Sequence, residues 1–134
     1  MRALTLTALA AWCLALGASA VCADEAPPAG DATRGAALVA SRSQGLCVLC
    51  HPVPGVAAPL QANLAPDLSG VGARLSAAQL RDRLTAPERF NPDTLMPSYR
   101  RSEGFVRVAA NRQGQALFTE AQVDDVVAYL RTLR

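Results

Sequence analysis

Cys47-Val48-Leu49-Cys50-His51 is the stretch from which the rest of this chain is best read. Two thiols three positions apart, followed at once by an imidazole, form the C-x-x-C-H pattern of covalent haem attachment. The spacing lets the thiols reach the two vinyl groups on one edge of a porphyrin, and the next residue then projects its ring over the macrocycle onto iron. Two plainer readings compete. A redox-active dithiol normally follows a strand in a βαβ unit, a pattern missing here. A structural zinc site needs four ligands, and beyond the first two dozen residues Cys47, Cys50 and His51 exhaust the cysteine and histidine supply. The expectation is one haem c, held through Cys47 and Cys50, with His51 as an iron ligand.

The composition also narrows the opposite ligand. His51 is the single histidine, so bis-histidine ligation within the chain is impossible. Met96 is the only methionine besides the initiator. It lies in Thr94-Leu95-Met96-Pro97, on a stretch stiffened by Pro92 and Pro97 that suits a loop crossing the distal face. The competing roles for Met96 are a flexible core filler or a bystander to a vacant sixth position. A His/Met pair favours ferrous iron and closes the site to substrates, which points to electron transfer.

Three helices can be placed around these residues. The first spans about Asp31 to Ser43, with Asp31 as N-cap and Gly45 as terminator. The second opens with Ser76 and Gln79 as a capping box and ends at Pro87; the third opens with Thr119 and Gln122 in the same device. Leu75 with Leu80, and Phe118 with Val123, occupy staple positions. Val123, Val126, Val127, Leu130 and Leu133 then form one apolar stripe at helical spacing. Alternation with period two is absent, apart from a short stretch near Phe105–Val108. The expected fold is all-α.

The chain has 134 residues, room for a leader and one small domain. Residues 1–23 read as a secretory signal, with Arg2, an apolar run from Ala3 to Leu16, and small-residue cleavage sites after Ala20 or Ala23. Its rivals are an uncleaved anchor and a lipoprotein at Cys22, the latter weakened by the bulk of Val21. Export implies a periplasmic protein that leaves the membrane once cleaved. Residues 24–30 form a Pro-rich flexible linker, and the folded domain covers 31–134. Cleavage after Ala20 leaves Cys22 as an unpaired thiol in that tail. All 13 basic residues are arginine, against 11 acidic ones. That balance argues against a nucleic-acid partner.

Taken together, these residues resemble class I cytochromes c. The resemblance implies helices packed around the haem and a proline carbonyl that accepts the Nδ1–H of the proximal histidine. Pro66, in Leu64-Ala65-Pro66-Asp67-Leu68, matches that proline, although Ala65 replaces the usual glycine. It also implies a crossing of first and last helices, with Gly35 and Val39 against Val126 and Tyr129.

The segments from Pro66 to Arg74, from Phe90 to Tyr99, around Gly104 to Val108, and from Gln122 to Leu130 narrow the resemblance further, to the SoxX family. These are monohaem subunits of SoxAX cytochromes in bacterial thiosulfate oxidation. The family implies a SoxA-type haem subunit as partner, which carries the catalysis, and a soluble cytochrome as electron acceptor. No residue here resembles a substrate nucleophile, so no catalytic residue is expected. Ser98 to Leu117 is the expected partner surface, and Arg74, Arg100, Arg101 and Arg107 are candidates for haem propionates or an acidic partner. The alternatives are a free-standing class I carrier for another oxidoreductase or oxidase, and a sensor or enzyme with an open iron site.

Overall fold

Capping fixes where the helices of this protein begin. The computed structural model describes residues 30–134; the expected leader and the linker up to residue 29 lie outside the described residues. Helix α1 spans Ala32–Ala40, and the Asp31 carboxylate accepts the backbone N–H groups of Thr33 and Arg34 at 2.8 and 2.9 Å. A short helix α2, Val71–Arg74, precedes α3, Ala77–Thr85. The last helix, α4, is Glu120–Thr132. Both expected capping boxes form: Ser76 with Gln79, and Thr119 with Gln122, each pair exchanging two hydrogen bonds of 2.9–3.3 Å. Among the described residues there is no strand, so the fold is all-α.

The first helix stops three residues short of its expected end. Ser41 accepts the N–H groups of Ser43 and Gln44 on its side-chain oxygen. That gives the backbone a local alternative to the helix ladder. Gly45 is needed for a different reason than capping. A Cβ there would lie 2.0 Å from the Leu38 carbonyl oxygen, so only glycine lets the chain fold back on the last turn of α1.

The α1–α4 crossing organises the core. Val39 and Val126 are fully buried, joined by Val123, Val127 and Leu130 on the inner stripe of α4. A Cβ on Gly35 would lie 1.9 Å from the Asp125 carbonyl oxygen and 2.9 Å from the Tyr129 Cβ. The backbones therefore touch where the resemblance to class I cytochromes c implied a crossing. An ion pair that the sequence does not announce locks the contact. The Arg34 guanidinium reaches both Asp125 carboxylate oxygens at 2.8 Å, and the Asp31 N–H donates to the same carboxylate at 2.7 Å. The Arg34 bond holds the Asp125 carboxyl below its ordinary range. Its contribution is therefore complete above the usual aspartate range, roughly pH 4, and is lost as the pH falls through the folded value.

Gly35→Ala tests this contact. The added methyl has no space between the two backbones, so the helices must separate. Overpacking of this kind costs about 1–3 kcal/mol, which lowers the melting temperature of a domain this size by roughly 5–20 °C. A holo-protein whose thermal transition stays where it was would show that α1 and α4 do not meet at Gly35.

Candidate functional site

Leu46 turns the chain into the attachment segment. Its φ of 63° lies in the left-handed region, which costs a branched side chain energy, and its N–H is tied back to the Ser41 carbonyl at 2.9 Å. Cys47–Leu49 then winds into a single 3-10 turn. Val48 points into the core and is fully buried, which leaves Cys47 and Cys50 half-buried. No disulfide joins them. Burial pushes the Cys47 thiol above its ordinary range, with the Tyr99 hydroxyl pulling the other way.

A second segment runs alongside this turn and is stitched to it by backbone bonds. Ala62 donates to the Val48 carbonyl at 2.9 Å, Ala65 to Cys50 at 2.8 Å and Leu68 to Pro52 at 3.0 Å. The register sets the Pro66 carbonyl 2.6 Å from His51 Nδ1. A carbonyl oxygen only accepts, so Nδ1 carries a proton, and Nε2 is the nitrogen left for a metal. Ala65 does not adopt positive φ, so alanine serves where the resembling family has glycine. Arg74 clamps the same segment, donating to the Ser69 carbonyl at 2.6 Å and to Asp67 at 3.3 Å. Gln61 closes it on the other side, with Val53 N–H donating to its Oε1 and its Nε2 donating to Val56 at 2.8 Å.

Met96 is half-buried and packs against the core cluster that also receives Cys47. Its N–H donates to Thr94 Oγ1 at 3.1 Å. Three residues on, Tyr99 ties this segment to the attachment turn. The buried Tyr99 hydroxyl donates to the Gly45 carbonyl at 2.5 Å and lies 3.6 Å from Cys47 Sγ, and burial pushes its pKa far up. Its backbone N–H donates to Leu84, and its ring stacks on Phe118 at 4.6 Å. Three residues of chain span at most about 10 Å, so the Met96 segment is pinned near the cysteines.

The sequence reading missed this role of Tyr99 and placed it on the partner surface; at 2% exposure it belongs to the core. The one available signal was an aromatic close after Met96 in a chain poor in rings. Two of the arginine candidates are also committed elsewhere. Arg74 holds backbone carbonyls, and Arg100 pairs with Glu120 at 2.7 Å and donates to the Phe118 carbonyl at 2.5 Å.

These residues fit a covalently held haem. Cys47 and Cys50 share one turn, the His51 ring is held through Nδ1 with Nε2 left uncommitted, and the Met96 thioether packs on the same core. Among the described residues no three His, Cys, Asp or Glu side chains gather into an ion site of their own.

Residues 32–134 match the cytochrome c family. The chain belongs to the cytochrome c family. Among solved structures it is similar to one described as SoxXA from P. pantotrophus. The identity is 32%, covering 78% of this chain and 82% of that one, with a TM-score of 0.68. No curated protein sequence matches. The cytochrome is thus of the SoxX type, with the class I fold, a covalently bound haem c and a role in electron transfer. Among the described residues no helix is long and apolar enough to cross a membrane.

Proposed function

We propose that this cytochrome is the electron-accepting subunit of a periplasmic SoxAX-type complex in thiosulfate oxidation. In this reading Cys47 and Cys50 hold the haem, His51 and Met96 ligate its iron, and Pro66 orients His51. When bound, the haem supplies one-electron exchange at iron. The protein's own residues do the rest. Pro66 fixes the His51 proton on Nδ1, and a carbonyl partner of this kind raises the basicity of the ligating nitrogen. Met96 offers a soft sulfur that favours the reduced metal. Tyr99 holds the methionine segment and the cysteine turn in one register.

The His51–Pro66 contact carries the reading, because it orients the imidazole through Nδ1 and leaves Nε2 available as a metal ligand at the end of a C-x-x-C-H turn. The 32% identity to a SoxXA structure supports the thiosulfate pathway and a SoxA-type partner. A soluble cytochrome is the proposed acceptor downstream.

Purification of the tagged cytochrome from the periplasm of thiosulfate-grown cells tests the assignment. The expected result is a stoichiometric second haem subunit, and thiosulfate-dependent reduction of this haem only when that subunit is present. A monomer with no haem-bearing companion, reduced equally well without it, would leave a free-standing carrier as the better account.

A further inference from the structure

The Gly45 residue is buried where the chain folds back from α1 into the attachment turn, and its carbonyl has unusual partners. Among the described residues no backbone N–H donates to it, but two side chains reach it. The Tyr99 hydroxyl donates at 2.5 Å, and Cys47 Sγ lies 3.4 Å away. These two are not equivalent. A sulfur that carries carbon in place of its hydrogen cannot donate, so a thioether at Cys47 leaves Tyr99 as the one donor to this carbonyl. Without that donor a buried carbonyl loses its hydration and gains nothing in exchange.

The same carbonyl stands next to backbone strain. Leu46 follows it with a φ of 63°, and a left-handed leucine persists only where its surroundings hold it. Two bonds grip this corner: the Leu46 N–H on the Ser41 carbonyl at 2.9 Å, and the Tyr99 hydroxyl on Gly45. The other end of the tyrosine is anchored independently. Its N–H donates to the Leu84 carbonyl and its carbonyl accepts the Phe118 N–H, both at 2.9 Å, while the ring stacks on Phe118. Arg100, the next residue, is tied to Glu120 and to the Phe118 carbonyl. Tyr99 is therefore a strut with a fixed base, and its hydroxyl is the end that grips the attachment turn.

We propose that the Tyr99 hydroxyl is a positioning group for the redox centre, which holds the strained corner at Gly45 and Leu46 against the Met96 segment and thereby protects the sixth ligand from displacement. An outside ligand reaches the iron only when the methionine segment parts from the attachment turn, and that parting breaks the Tyr99–Gly45 bond. The bond thus favours the closed form alone, and its loss raises the open population in proportion. This inference rests on Met96 as the iron ligand, the reading given above.

The test is an imidazole titration of the full-length ferric holo-cytochrome, followed by loss of the far-red band, in wild type, Tyr99→Phe and Ser76→Ala. Tyr99→Phe keeps the ring and its stack on Phe118 and removes the hydroxyl alone. Its half-saturating imidazole concentration is expected to fall about tenfold, the worth of one buried hydrogen bond. Ser76→Ala removes the cap of α3, lowers the melting temperature and touches neither segment, so its midpoint should stay within about twofold of wild type. Should Tyr99→Phe fail to mature, proton NMR of the ferrous wild type decides: a slowly exchanging Tyr99 hydroxyl proton supports the strut, and a rapidly exchanging one overturns it. If Tyr99→Phe takes up imidazole as wild type does, or if Ser76→Ala shifts the midpoint as far for the same loss of melting temperature, the hydroxyl protects nothing and Met96 ligation stands. If wild type and Met96→Ala take up imidazole equally, the ligand reading falls and takes this inference with it.

Discussion

Cys47→Ala combined with Cys50→Ala should give a chain without covalent haem, and one that loses most of its helical signal. Acid-acetone extraction reads the first effect: haem stays with the wild-type polypeptide and none with the double variant. The second effect follows from the core. Its largest fully buried side chains are Phe118 and the valines 39, 48, 123 and 126, with Ser98 beside them. Two stacked rings, Tyr99 and Phe118, with valines and a few leucines leave limited apolar area to offset the entropy of ordering a domain of about 100 residues. The thioethers add a large apolar body fixed to the turn at Cys47–Leu49, and they do so at no cost in translational freedom once formed. Single replacements should be milder, since one thioether still tethers the group. A double variant that keeps wild-type circular dichroism would show that the polypeptide core suffices alone.

What the sequence disclosed about this protein is what depends on neighbours in the chain. Both capping boxes are exchanges between residues three apart, so Ser76-x-x-Gln79 and Thr119-x-x-Gln122 could be read directly. The C-x-x-C-H turn is local for the same reason. The early end of α1 was also a local event, but Ser41 competes with the helix through a side chain whose choice no pattern announces. Helix α2 was missed because four residues starting from a left-handed Gly70 are too few to show periodicity.

The long-range links were beyond reach. Arg34 meets Asp125 across 91 positions, and Tyr99 meets Gly45 across 54. Asp125 sits on the buried side of α4 beside Val126, where an apolar stripe argument predicts no carboxylate. Its burial makes sense only with the guanidinium and the Asp31 N–H in view, since an unpaired charge there would be costly. The contact of Pro66 with His51 is a middle case: it became visible through resemblance to cytochromes c, while the spacing alone offered no reason to pair the two.

Met96→Ala should remove the far-red charge-transfer band of the ferric protein and lower the reduction potential, by on the order of 100 mV or more given the range that axial ligands command. The sign follows from ligand softness. A thioether stabilises ferrous iron relative to ferric, so its loss makes reduction harder. Imidazole should then bind the ferric protein readily, because the sixth position no longer has an internal ligand. Half-burial of Met96 against the core leaves a purely structural role as the competing account. In that account truncation leaves a cavity and costs about 2–5 kcal/mol, with the spectrum unaltered. Met96→Leu separates the two. Leucine restores nearly all of the packing volume and none of the sulfur, so a filler should be rescued in stability and remain normal in colour. A ligand should instead show the same loss of band and fall in potential as the alanine variant, at close to wild-type melting temperature. A leucine variant with the wild-type band and potential would place some group other than Met96 on the iron.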